Sequence, residues 1–284
     1  MYKALNGGVI GVSTGNLDNA IHLAKAYGFA GLEFNASEVA ALIEAHGTAY
    51  VTDMFEASAI LPAGWGLPVN WRGSEDQWRS DLHDLPRLAK AAASIGGLRT
   101  ATWIMPCSND RDWDENMEFH IERFVPIAHI LEHNGVRLGL EFIGPKTLRE
   151  SQKYPFVHTA AQMLQMGHLI GTNVGLLLDS WHWHTSHGTL ADLQKLSNAD
   201  IVTVHVNDAP AGVSIDEQVD SVRALPGATG VIDIDTFLKA LQAMGYDGPI
   251  IAEPFSKELK DMPSDTARLE AVSSAMDSIL AHMS

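Results

Sequence analysis

The sequence predicts an α/β fold, a (β/α)8 barrel forming a single domain over residues 1–284, and three observations carry that prediction. Apolar runs of strand length alternate with helical patterns along the whole chain. No long linker interrupts the alternation, as one would between separate domains. The length suits one barrel of this type. An open doubly wound sheet is the runner-up, but no strand candidate ends in the GxGxxG turn that would support it.

The first strand candidate is VIGVS (9–13). NLDNAIHLAKAYG follows it, opening on Asn and Asp capping residues and stopping at Gly28. GLEF (31–34) is the second strand, a helix is expected around 37–46, and AILPAGWG (59–66) carries the third strand. The stretch SEDQWRSDLHDLPRLAKAAASIG leads to LRTATWIMP (98–106), the fourth. WDENMEFHIERFVPIAHILEHNG precedes LGLEF, the fifth, and a helix around 159–170 precedes GLLLD, the sixth. LADLQKLS leads to IVTVH, the seventh, and VIDIDTFLKALQAMG to IIAEPF, the eighth. A last helical pattern, SDTARLEAVSSAMDSILAHM (264–283), closes the chain.

Runs 5 to 8 share a peculiarity: each carries a metal-ligand residue at or near its end, namely Glu141, Asp179, His205 and Glu253. Such runs of Leu, Ile, Val, Ala and Gly mark strands buried on both faces. A carboxylate or imidazole there is costly to desolvate unless it is paired, hydrogen-bonded or bound to a cation. In a barrel of this kind, functional groups gather at the C-terminal ends of the strands, and these four would be neighbours around the ring. Three carboxylates and an imidazole form a hard donor set, suited to one divalent ion, Mn2+ first, with Mg2+, Co2+ or Zn2+ as alternatives.

Composition sets further bounds. A net charge of −16 argues against a nucleic-acid partner, which needs concentrated Lys and Arg. The N-terminal stretch lacks an apolar signal region and no segment reaches membrane-spanning length, so no membrane partner is expected. Cys107 is the only cysteine, which excludes an intrachain disulfide and fits a cytoplasmic enzyme. With no basic neighbour to activate it, it is expected to be a small apolar filler.

The segments LGLEF, LLLDSWHW, VTVHVND and IIAEPF resemble the xylose isomerase-like barrel superfamily, the sugar phosphate isomerase/epimerase group that includes ketose 3-epimerases, inosose dehydratase and endonuclease IV. The similarity spans essentially the whole chain. It implies that Glu141 and Glu253 both bind metal and move protons on opposite faces of the substrate, while Asp179 and His205 are ligands only. It also assigns His182 to a substrate hydroxyl or carbonyl, and Arg223 in RALPGATG to substrate oxygens. Barrels of this group often pair, which implies a possible homodimer.

The chain departs from the ketose epimerases in two places. Where those carry a further Glu after the fifth strand, this sequence has Lys146, a cation that would favour an anionic or carbonyl-rich substrate. An insertion, APAGVSIDEQVDSV, separates His205 from Arg223. Trp65 and Trp103 are candidates for an apolar wall against a sugar ring. Glu33 stands at a mouth position, and Asn207 and Asp208 are placed to orient His205.

The chemistry of the pair of glutamates follows from acid–base logic. Isomerising or epimerising a keto sugar requires removal of a proton beside a carbonyl, and a divalent ion stabilises the enediolate that results. Two carboxylates then suffice to deprotonate and reprotonate. The expected activity is therefore a sugar isomerase or epimerase with a small carbohydrate substrate. A lyase, such as an inosose-type dehydratase or keto-glycoside eliminase, is the alternative on the same ion. A metal-dependent phosphodiesterase would need His ligands at the ends of strands two to four, and none stands there.

Overall fold

The computed structural model describes residues 1–281. In chain order its first strands are β1 (Tyr2–Leu5), β2 (Gly31–Glu33), β3 (Leu61–Gly66), β4 (Arg99–Ile104) and β5 (Cys107–Ser108). They are followed by β6 (Arg137–Phe142), β7 (Tyr154–Pro155), β8 (Val174–Asp179), β9 (Ile201–Val206) and β10 (Pro249–Ala252). Eight of them close a parallel barrel in the order β1-β10-β9-β8-β6-β4-β3-β2, while β5 and β7 pair antiparallel as a separate ribbon.

The helices around the barrel are α1 (Leu17–Ala26), α2 (Ala36–His46), α3 (Thr48–Ser58), α4 (Glu75–Ser94), α5 (Trp113–His133) and α6 (Lys146–Arg149). Then come α7 (Ala160–Ile170), α8 (Ser180–Thr185), α9 (Leu190–Leu193), α10 (Ile234–Ala243), α11 (Lys257–Lys260) and α12 (Asp265–Ala281). Side-chain caps start many of them: Asn16 accepts from the Asn19 amide, and Asp112 and Glu115 form a reciprocal box at α5. Each such cap contributes about 1 kcal/mol.

Strands β8 and β9 are buried at every position, because one face meets the helices and the other the barrel interior. The lower interior is closed by Arg137, which donates to the carbonyls of Ile201 and Ala199. Gly175 makes room for it, since a Cβ there would lie 3.2 Å from Arg137 Nη2 and 2.5 Å from the Asp200 carbonyl oxygen.

Two elements differ from the sequence expectation. The first strand is Tyr2–Leu5, and VIGVS instead begins in a 3-10 turn (Gly8–Ile10) that ends at Gly11 with φ 71°. Lys3 made the true strand look polar, yet it is buried and spans to Asp277 at 2.5 Å on the helix layer. The connection from β2 to β3 holds two helices, α2 and α3, broken at Gly47 (φ 86°). The last pattern runs as α12 to Ala281, and its final two residues, 282 and 283, lie outside the described residues.

Candidate metal centre and active site

Strand register decides which residues meet. Asp179 on β8 pairs with His205 on β9, and His205 pairs with Ile251 on β10, two residues before Glu253. Trp103 on β4 pairs with Glu141 on β6. Side chains alternate along each strand, so Glu141, Asp179, His205 and Glu253 share the interior face. One ligand atom from each lies within 4.8 Å of the others, and all four residues are buried.

The cluster is held from behind. Asp179 Oδ1 accepts from the Trp181 amide at 2.6 Å, and the Asn207 amide nitrogen donates to both Asp179 oxygens at 3.1 and 3.0 Å. Asn207 Oδ1 in turn accepts from the Glu253 backbone N–H at 2.9 Å. Asn207 thus orients Asp179 and Glu253, not His205 as expected. Asp208 points the other way, accepting from the backbone N–H groups of Ala209, Thr229, Gly230 and Ile232. It fixes the loop that returns from the insertion.

Arg223 enters the centre itself. Its Nη1 donates to Asp179 Oδ2 and Glu253 Oε2, both at 2.9 Å, and its Nη2 to Asp220 Oδ1 at 3.0 Å. Its Nε donates to the Asp220 carbonyl at 3.0 Å, and the guanidinium lies over the rings of Trp181 and Phe255. Asp220 was not anticipated; its one sequence signal is the acid-to-Arg spacing of three within the insertion.

His182 is fully buried, with Nδ1 accepting from the Gly144 N–H at 3.2 Å. Its Nε2 lies 3.1 Å from Arg223 Nη2, a group that can only donate, and 3.8 Å from Glu141 Oε1. A neutral ring accepts at one nitrogen only, so the Gly144 and Arg223 donors compete for it. Burial, helped by the Arg223 charge, pulls His182 down to about 3, so the ring is neutral.

The protonation of the two glutamates is pushed in opposite directions. Burial, reinforced by the Glu253 charge, raises Glu141 well above the usual carboxylate range. Burial also acts to raise Glu253, but His205 and then Arg223 outweigh it and hold it below that range. His205 would be lowered by burial, yet Glu253, Glu141 and Asp179 carry it up to about 10. Glu33 is raised, chiefly by burial.

Two buried atoms at the centre have no hydrogen-bond partner among the described residues: Glu141 Oε1 and His205 Nδ1, 4.0 Å apart. His205 Nδ1 also lies 3.4 Å from Glu253 Oε2 without hydrogen-bond geometry. Unpartnered donors and acceptors at such burial are rare in the absence of an ion or ligand. Hard oxygens around one imidazole, with these two atoms converging, fit a divalent cation.

The other expected residues divide. Trp103 is 44% exposed at the mouth, on the face shared with Glu141. Trp65 is not a substrate wall: it pairs with Thr100, on the opposite face from Trp103, and its Nε1 donates to the Gly97 carbonyl within the helix layer. Glu33 faces the centre from the far side of the mouth and accepts from Asn6 at 2.5 Å. It also lines a cavity of about 340 Å3 with Asn6, Asn35 and Gly66. Lys146 is ion-paired with Asp216 of the insertion at 3.3 Å, and Thr147 Oγ1 donates to the Gln218 carbonyl at 2.7 Å. The two segments that depart from the epimerase pattern therefore pack on each other. Cys107 is buried and unbridged.

A family model described as xylose isomerase-like TIM barrel matches residues 21–279. Inosose isomerase of Halalkalibacterium halodurans is 30% identical over 155 residues, 53% of this chain and 49% of that protein. The chain thus spans about half the length of that relative. Inosose isomerase of Bacillus velezensis is 23% identical over 249 residues, covering 86% of this chain and 85% of that one. Among solved structures, a xylose isomerase domain protein from Alicyclobacillus acidocaldarius superposes with a TM-score of 0.85 at 29% identity over 99% of both chains.

Proposed function

This chain belongs to the xylose isomerase-like TIM barrel family, and on that premise we propose that it is a divalent-metal-dependent isomerase or epimerase of a keto sugar or sugar derivative. The observation that carries the reading is the placement of Glu141 and Glu253. Two buried carboxyls, from β6 and from the end of β10, border one centre together with Asp179 and His205. The inosose isomerases among its relatives support an inosose-like keto sugar derivative as the substrate class.

A divalent cation held by Glu141, Asp179, His205 and Glu253, Mn2+ first and Mg2+, Co2+ or Zn2+ as alternatives, would offset the negative charge that develops on the substrate's carbonyl oxygen. One carboxylate removes the proton from the carbon beside the carbonyl, and the electron pair of that C–H bond passes into an enediolate. The other carboxyl returns a proton to the carbon from the opposite face, which inverts the centre. Each glutamate is the proton carrier for one face of that carbon, so the epimer bound decides which of them starts as the base.

His182 stands between Arg223 and Glu141 as the contact for a substrate hydroxyl or carbonyl. Arg223 acts as a positioning residue, since its donors are already spent on Asp179, Glu253 and Asp220. Trp103 and Glu33 line the mouth toward the substrate. Among the described residues no helix is long and apolar enough to cross a membrane. The proposal keeps a cytoplasmic setting, supported by the single unbridged cysteine, and a homodimer that sedimentation would detect.

The test is solvent-deuterium incorporation with Mn2+ across a panel of ketoses, inososes and keto-glycosides. Label beside the carbonyl in a product of unchanged composition supports the isomerase. Label accompanied by loss of water or of an aglycone replaces it with a lyase. A protein that binds Mn2+ but labels no member of the panel contradicts proton abstraction.

A further inference from the structure

Outside the carboxylate centre, a cavity of about 190 Å3 opens on the rim of the barrel between the loop after β3 and the segment joining β4 to α5. Its walls include Trp71, Arg72, Ser108, Arg111, Asn116 and His120. None of these belongs to the cluster described above.

Two of the walls are cations in a strongly acidic chain. Arg72 lies 3.9 Å from the Trp71 ring centroid and 3.8 Å from that of Trp103, and its Nη2 donates to the Trp103 carbonyl. Arg111 lies 3.8 Å over the Phe119 ring. Among the described residues neither guanidinium forms an ion pair with a carboxylate. Arg72 is an exposed residue whose guanidinium is shielded between the two rings, and that desolvation, without a charge partner, pulls it down to about 10. Stacking on aromatic faces orients a guanidinium and leaves its edge donors free for oxygens.

The third wall is a buried acceptor. His120 is 3% exposed, and its Nδ1 lies 2.6 Å from the Asn116 carbonyl, to which it must donate. Its Nε2 is then a bare lone pair, buried and without a partner. Burial pulls the ring down to about 4 against the pull of that carbonyl, and the charges of Arg72 and Arg111 act in the same direction as burial. Both guanidiniums therefore act on the ring that lines this cavity.

The stacked guanidiniums call for anionic oxygens, and the His120 lone pair calls for an O–H. A singly protonated phosphate, or a carboxylate beside a hydroxyl, meets both demands at once. The volume, roughly that of six water molecules, suits such a head group and not a whole sugar.

We propose that this cavity is an oxyanion subsite, taking a phosphate or hydroxylated carboxylate group between Arg72 and Arg111 with its O–H directed to His120. Arg72 stacks on Trp103, and Trp103 is the register neighbour of Glu141. The anion would therefore sit at the far end of a substrate whose carbonyl end reaches the carboxylate centre. That placement rests on the function proposed above; the site itself does not.

Calorimetric titration of inorganic phosphate into the Mg2+-loaded protein tests the site. Arg72→Gln and Arg111→Gln should each weaken phosphate binding tenfold or more, whereas Glu253→Gln should leave it within twofold. Circular dichroism and melting curves establish that each variant is folded, and either arginine variant alone suffices. Absence of binding to the wild type overturns the proposal. So does an affinity that survives both arginine substitutions, or one lost only in Glu253→Gln, which would put the phosphate at the metal centre.

Kinetics then assign the source of the anion. If it is part of the substrate, the ratio of kcat/KM for a ketose phosphate over the neutral ketose should fall tenfold or more in Arg72→Gln. A free anion instead leaves that ratio unchanged and binds alongside saturating ketose. Either result supports the site and names its ligand. Failure of the isomerase reading would appear as absent deuterium labelling while phosphate still binds, so the two failures are separable.

Discussion

Replacing Arg223 by Met probes what the central guanidinium contributes. Met has a similar length and no charge, so the substitution removes the cation while filling much of its volume. The Arg223 side chain is 1% exposed, and Nη1 bridges Asp179 and Glu253, both at 2.9 Å. Removing one partner of a buried ion pair costs about 3–5 kcal/mol, because the remaining charge stays buried without compensation. Here two carboxylates lose a partner, but Asp179 keeps the Trp181 and Asn207 donors and Glu253 keeps His205. The expected loss for the ion-free protein is therefore within about 3–5 kcal/mol and not a multiple of it. A divalent ion that binds only the folded chain restores about 2.7 kcal/mol at one hundred times its dissociation constant. That increment should be larger in the variant, since the guanidinium no longer competes for the same oxygens. Urea unfolding monitored by tryptophan fluorescence, with chelator and then with Mn2+, measures both quantities. An ion-free variant within about 1 kcal/mol of wild type, against the cost expected for a broken buried pair, would refute the reasoning. A smaller Mn2+ increment than in wild type would refute it as well.

Four further outcomes follow from the same structure. Glu141→Gln and Glu253→Gln should each stop net conversion while each retains hydrogen exchange of one substrate epimer, and NMR of substrate in deuterated water reports this; near-wild-type conversion by Glu141→Gln would end the two-base mechanism. Asp208→Asn should destabilise the chain by about 3 kcal/mol or more, because an amide replaces a carboxylate that accepts from four backbone N–H groups; thermal unfolding checks it, and an unchanged melting point would contradict it. His120 is held at about 4 in the fold against a usual value near 6.5, so the folded chain binds fewer protons between those limits. That contribution is whole above about pH 6.5 and is lost as pH falls to about 4, costing roughly 3 kcal/mol, and the pH slope of urea stability should be shallower by that amount in His120→Phe. Gly144→Ala should depress activity and stability together, because its Cβ would meet the His182 carbonyl and lie 2.7 Å from Thr185 Oγ1; unimpaired turnover would show that the loop yields.

The barrel and the four-residue cluster that could hold a metal ion were legible in the amino-acid sequence because both rest on local patterns. A run such as GLLLD announces a strand buried on both faces, and a carboxylate at its end announces a partner, whatever the rest of the chain does. Patterns of that kind located Glu141, Asp179, His205 and Glu253 before any contact was known. Local pattern misled where a residue's environment is non-local. Lys3 masked β1 because its partner Asp277 lies at the other end of the chain. Trp65 and Trp103 look alike in sequence, and only register with Thr100 and Glu141 puts one among the helices and the other at the mouth. Asn207 and Asp208 are adjacent in sequence, yet the first braces the carboxylate cluster and the second a distant loop. The tertiary structure alone could bring Arg223 and Asp220 from an insertion onto the carboxylate cluster, or set Arg72, Arg111 and His120 around one cavity. The physical reason is the same throughout: periodicity reports which face of an element is apolar, whereas hydrogen bonds and charge pairs depend on which elements the closed barrel makes neighbours.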